Sequence, residues 1–224
     1  LSGAGADSTS AVTFGGDTPG SPGPSVTTEL WNGSSWSEVN DLNDATPNAG
    51  SLGISTAALN FGGGGTVNNE SWNGTNWTEV GNLNTARDSN AGGAGTTSAG
   101  LAFGGKEPSP AVTANTESWN GSAWTEVNNM NDDRRQLVGT GTQTSALAFS
   151  GEDPGTGSKT STESWNGTNW SNVENLSTGR VVADGSGASN TSALCFGGVT
   201  ALTATEEWDG TGFIIETLTT TSDN

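Results

Sequence analysis

One phrase recurs five times along the chain: an apolar run ending in Phe-Gly-Gly, then Glu-x-Trp-Asn-Gly-x-x-Trp and a short apolar tail. The first element starts at Phe14, Phe61, Phe103 and Phe196, and reads Phe-Ser-Gly at Phe149. The second opens at Trp31, Trp72, Trp119, Trp165 and Trp208 and closes at Trp36, Trp77, Trp124, Trp170 and, in the last copy, Phe213, with Asp209-Gly210 for Asn-Gly. All 9 tryptophans occupy these slots. A chain repeating at this period builds one supersecondary unit per copy, and such units bury their faces only against one another.

The third copy shows what the unit is. Four segments, around Ser89–Gly95, Ser98–Phe103, Ala114–Asn120 and Trp124–Val127, are short, rich in Trp, Phe, Thr and Val, and separated by turn residues. They carry the two-residue strand period and no helical period. Asn120-Gly121, like Asn32-Gly33, Asn73-Gly74 and Asn166-Gly167, marks a tight hairpin, because both residue types tolerate positive φ. Each copy therefore predicts four antiparallel strands, and stacking the copies about an axis predicts an all-β, five-bladed β-propeller. The expected blades are 1–44, 45–87, 88–134, 135–180 and 181–224, one domain over 1–224. Phased on the repeat, the chain stops one slot before the position at which it starts. The expectation is a closed ring with no strand exchanged between termini, held by packing of the first blade on the last.

The order of residues in Leu101-Ala-Phe-Gly-Gly105, Trp119, Trp124 and Val127 resembles kelch repeats, with Trp in the usual Tyr position. Arg87, Arg134 and Arg180 match the arginine that opens the next kelch repeat, and Thr46 replaces it once. The wording Glu-Ser-Trp-Asn-Gly-Thr-Asn-Trp-Thr-Glu-Val is also similar to repeats of marine phage and bacterial surface proteins. Both resemblances imply a propeller and leave its activity open, since one fold hosts many functions.

Charge narrows the partners. With 24 acidic and 6 basic residues the net charge is −18, which repels nucleic acid and anionic membranes. No apolar run reaches the length of a spanning helix. The chain opens on Leu1 rather than Met, which suggests removal of a leader or of a larger parent. Cys195 stands alone among strand residues and reads as strand filler rather than a reactive thiol. Histidine is absent, which removes the commonest general base and metal ligand.

Exposed aromatics stack on sugars, but here they fall in one fixed place in every copy. Packing residues repeat and binding residues vary, so Trp31, Trp36, Trp72, Trp77, Trp119, Trp124, Trp165, Trp170, Trp208 and Phe213 are assigned to the core between blades. Glu29, Glu70, Glu117, Glu163 and Glu206 begin the third strands at the ring end where Arg87, Arg134 and Arg180 begin first strands. Glu–Arg or Glu–backbone bonds are expected there. Five equivalent glutamates look like scaffold rather than the paired carboxylates of a glycosidase. No metal site is assigned. Glu152-Asp153 and Asp132-Asp133 leave calcium as the one cofactor in view, with plain solvated acid the simpler reading. The sequons at Asn32, Asn73, Asn120 and Asn166 coincide with the turn, whose chemistry accounts for them.

The segments 17–28, 64–69, 106–116, 152–162 and 199–205 differ most between copies and carry 6 of the 7 prolines. They are expected on one face with the blade connections, together with all six basic residues, Arg87, Lys106, Arg134, Arg135, Lys159 and Arg180. Those residues, with Glu107, Glu152 and Asp153, form the candidate contact surface for a ligand or partner; charge pairing within the face is the structural alternative. The expected function is a non-enzymatic binding or adhesion module, outside the cell, on its surface or on a virion, recognising a polysaccharide or protein through these loops. The alternative is a structural subunit whose rings stack into a fibre or virion decoration.

Overall fold

Short runs of alternating small and apolar residues keep every regular segment extended. The computed structural model describes residues 1–17, 23–108, 112–199 and 203–216, and among them it contains strands and no helix. Blade 1 comprises β1 (Ser2–Asp7), β2 (Ser10–Phe14), β3 (Thr28–Trp31) and β4 (Trp36–Glu38). Blade 2 comprises β5 (Gly50–Ile54), β6 (Ala57–Phe61), β7 (Asn69–Trp72) and β8 (Trp77–Glu79). Blade 3 comprises β9 (Gly92–Thr96), β10 (Ala99–Phe103), β11 (Thr116–Trp119) and β12 (Trp124–Val127). Blade 4 has β13 (Val138–Thr142), β14 (Ser145–Phe149), β17 (Thr162–Trp165) and β18 (Trp170–Asn172), with a small hairpin, β15 (Glu152–Asp153) and β16 (Gly157–Ser158), between its second and third strands. Blade 5 comprises β19 (Asp184–Ser189), β20 (Ser192–Phe196), β21 (Thr205–Trp208) and β22 (Phe213–Glu216). The four strands of each blade pair in chain order, so no blade borrows a strand from the other end of the chain.

Register is common to the blades. In blade 3, Leu101 lies opposite Ala94 and Ser118, and Trp119 lies opposite Trp124. The Asn-Gly hairpin divides its labour in a way the dipeptide alone does not reveal. Only the glycines take positive φ, between 89° and 94° in the five copies. The asparagine caps instead: Asn73 Oδ1 accepts hydrogen bonds from the backbone of Thr75 and Asn76, both at 2.9 Å. In every blade the first tryptophan also locks the opposite hairpin. The indole N–H of Trp31, Trp72, Trp119, Trp165 and Trp208 donates to the carbonyl of Ser8, Ser55, Thr97, Gln143 and Asn190 respectively, at 2.8–2.9 Å.

The core lies in four seams between consecutive blades rather than inside any one blade. At each seam the phenylalanine ending the second strand of one blade meets the closing aromatic of the next. Phe14 contacts Trp77, Phe61 contacts Trp124, Phe103 contacts Trp170 and Phe149 contacts Phe213, with ring centroids 4.7–5.8 Å apart and edge-on geometry. The inner strands approach so closely that side chains would not fit. A Cβ on Gly93 would lie 2.2 Å from the Ser51 carbonyl oxygen, and one on Gly139 would lie 2.6 Å from the Gly93 nitrogen.

A hydrogen bond closes two of these seams. Trp77 donates to Thr28 Oγ1 at 3.0 Å and Trp170 donates to Thr116 Oγ1 at 3.1 Å. Where Phe213 replaces tryptophan, the matching hydroxyl, Thr162 Oγ1, is buried without a partner. Replacing Phe213 with Trp restores that donor, and we expect a gain of about 1 kcal/mol in unfolding free energy by urea titration. A loss would show that the fourth seam has no room for the larger ring.

The expected closed ring stops one seam short. Inner strands β1, β5, β9, β13 and β19 pack side by side in that order, whereas β19 and β1 make no comparable contact. Trp36 is 46 % exposed and Phe196 is 40 % exposed, whereas Phe14, Phe61, Phe103 and Phe149 are fully buried. Trp31 is half-buried. The assignment of Trp31 and Trp36 to an inter-blade core is corrected accordingly: their slot is right, but no neighbouring blade covers it. Four seams are tightly packed, and the faces of the fifth stay exposed.

Candidate functional site at the loop end of the channel

The variable segments, the blade connections and one mouth of the central channel all lie at the same end of the ring. The mouth is a cavity of about 320 Å³ formed by the starts of the inner strands and the residues before them, including Ser2, Ser51, Asn90, Gly93, Gly139 and Asp184. A second, narrower cavity of about 230 Å³ continues along the inner strands and is lined mainly by glycine backbone. Its walls present amide and hydroxyl groups, with Asp184 the carboxylate shared by both cavities.

The residues that shape this mouth were not singled out from the sequence. Asn48, Ser89, Asn90, Gln136 and Val182 are non-glycine residues with φ between 50° and 60°, and each lies in the connection leading to an inner strand. Val182 is β-branched and exposed, an unusual occupant of left-handed backbone. Two main-chain bonds link these connections round the mouth: Asn90 N–H donates to the Asn48 carbonyl at 2.8 Å, and Gln136 N–H donates to the Ser89 carbonyl at 2.9 Å. Four connections of different sequence share one strained conformation, which is a tertiary demand that no single repeat advertises.

The six basic residues separate into two groups. Arg87, Arg134 and Arg180 are sealed inside the blades, each paired to a buried glutamate: Arg87 with Glu117 at 3.0 Å, Arg134 with Glu163 at 3.3 Å and Arg180 with Glu206 at 2.6 Å. Each also donates to main-chain carbonyls, as Arg87 does to Gly104 at 2.6 Å and Asn115 at 2.9 Å. Burial lowers the Arg87 and Arg134 guanidinium groups from their ordinary value, and the facing glutamates oppose that shift. The glutamates are further held by the chain entering the blade: Glu163 accepts from Asn131 N–H at 2.7 Å and from Asp132 N–H at 3.2 Å. These arginines therefore brace the ends of strands and present nothing to a ligand.

The other three lie nearer the surface. Arg135 is half-buried and donates twice to Glu152, at 2.9 and 2.7 Å. Lys159 pairs with Asp132 and donates to the Asp133 carbonyl at 3.1 Å. Lys106 is half-buried and bridges Asp88 and Val112 through its backbone. Among the described residues its side chain makes no ion pair. Glu107 accepts from Asn115 at 3.3 Å, and Asp153 caps the β15–β16 turn by accepting from Gly155 N–H at 2.9 Å. The Asp-Pro-Gly-Thr turn that builds this hairpin is readable in the sequence as turn chemistry. Glu152 and Asp132, two of the four acidic residues weighed for calcium, are thus already engaged by cations. Among the described residues no three acidic or thiol groups converge as a metal cluster.

Cys195 is fully buried beneath Arg180 and Glu206, and burial pushes its thiol up to about 12, which the Arg180 charge only partly offsets. We expect no labelling by a thiol reagent at pH 8 in the folded protein and stoichiometric labelling in denaturant. Labelling of the folded chain would show that blade 5 opens readily.

Fold and site together define a five-bladed β-propeller with a polar, loop-ringed channel mouth. No protein-family model matches the chain, and no curated protein matches it either.

Proposed function

We propose that this protein is a non-enzymatic recognition module that holds a neutral polar ligand, a glycan or a protein segment, at the loop end of its channel. The observation that carries this reading is a mouth of amide and hydroxyl groups at the end of the ring that also bears the unequal loops, set in a frame whose seams repeat. A rigid scaffold with variable loops favours binding, because little ordering entropy is lost when a ligand is captured. The net charge of −18 turns the choice away from polyanions and is compatible with uncharged saccharides or neutral peptides. The similarity of the repeat to those of phage and bacterial surface proteins supports a module that acts outside the cell or on a virion.

The test is a glycan and peptide array with and without calcium, followed by titration of any ligand retained. Asn90→Ala and Asp184→Ala at the mouth are expected to weaken binding by about tenfold each, the loss of one good polar contact. Lys106→Ala and Arg135→Ala report on the surrounding loops. Absence of any retained ligand, or affinity unchanged in all four variants, overturns the proposal.

A further inference from the structure

The structure leaves two unlike apolar faces uncovered, and they are the two halves of one seam. Blade 5 offers the face that every earlier blade presents to its successor, with Leu194 39 %, Phe196 40 % and Ile214 51 % exposed. The equivalents of Leu194 and Phe196 in blades 1 to 4, such as Leu101 and Phe103, are fully buried. Blade 1 offers the opposite half. Trp36 occupies the slot of Trp77, Trp124 and Trp170, which are 5–6 % exposed, yet it stays largely in solvent and touches only Trp31 among the aromatic rings. Gly3 occupies the slot of Gly93 and Gly139, whose missing side chains admit the preceding inner strand, but a Cβ on Gly3 would meet only its own blade. Glu29, the first-blade copy of the glutamates buried in the other four blades, is exposed.

We propose that these faces join copies of this chain head to tail, the blade 5 face of one copy receiving the blade 1 face of the next. The contact continues an interface that the fold already makes four times, with Phe196 edge-on to Trp36 of the neighbour and Gly3 admitting the neighbour's β19. A second copy is the partner whose complementarity is guaranteed by the repeat itself. The chain's own end blades leave these faces exposed, and the site stays open to another molecule. The two faces differ, so the association is heterologous and open-ended. This surface is distinct from the channel mouth, and its test is independent of any ligand.

Sedimentation velocity of the full chain decides the matter. The wild type is expected to form a ladder of dimer, trimer and larger species that grows with concentration. Added salt favours it, because salt screens the repulsion between copies of charge −18. Trp36→Glu and Phe196→Glu each block one half and are expected to be monomeric alone. Mixed in equal amounts, they retain one intact seam between them and are expected to give dimers and nothing larger. Leu194→Glu replaces Phe196→Glu, and Gly3→Val replaces Trp36→Glu, should circular dichroism show either first variant unfolded. A wild type that stays monomeric at submillimolar concentration overturns the proposal. So do a mixture that stays monomeric and single variants that assemble as the wild type does.

Discussion

Phe103→Ala lowers the free energy of unfolding by about 3–5 kcal/mol, near the upper end for large-to-small core changes. Phe103 is fully buried, stands edge-on to Trp170 with centroids 4.8 Å apart, and covers Gly92, where a Cβ would lie 2.4 Å from the ring. Glycine neighbours have no side chains to swing into the space, so the cavity does not refill. The same truncation at the equivalent half-exposed Phe196 is expected to cost less than about 1.5 kcal/mol, because only part of its surface leaves water. Urea denaturation of both variants checks the pair. Equal losses would mean that the seam between blades 5 and 1 is packed in solution.

Removing the arginine from a buried pair is expected to be as damaging. Arg134→Ala leaves Glu163 charged and fully buried with main-chain and asparagine donors only, at a cost of about 3–5 kcal/mol. Blade 2 shows a natural way to do without the arginine. There Thr46 fills the slot, Asn60 donates to its hydroxyl at 2.8 Å, and Glu70 is held by Asn43 and by Asp44 N–H. Building that arrangement into blade 4, as Arg134→Thr with Ala148→Asn, is expected to recover at least about 1 kcal/mol relative to Arg134→Ala. Failure to recover would show that blade 2 compensates elsewhere, and a loss below about 1 kcal/mol for Arg134→Ala would show that the Asn131 and Asp132 donors hold Glu163 without the arginine.

Much of the fold is legible in the repeat because its signals are local. Strand period, the Asn-Gly turn and the paired aromatics each act within a few residues, and repetition multiplies a weak signal. The pairing of Arg87, Arg134 and Arg180 with the glutamates was readable from their shared end of the ring. What escaped was whether those arginines would also face a ligand, since exposure depends on how deeply the strand ends are covered. The strained connections at Asn48, Gln136 and Val182 escaped for a related reason: their sequences differ, and only the shared path into the channel imposes the conformation.

By itself the sequence determined the number of blades, their strands, and the aromatic slots from which the four packed seams are built, because those follow from hydrophobic period and turn chemistry repeated five times. The tertiary structure alone decided whether the ring closes. Closure depends on the angle that each seam imposes, which comes from side-chain volume and glycine approach summed over four interfaces, and no single copy of the repeat contains that sum.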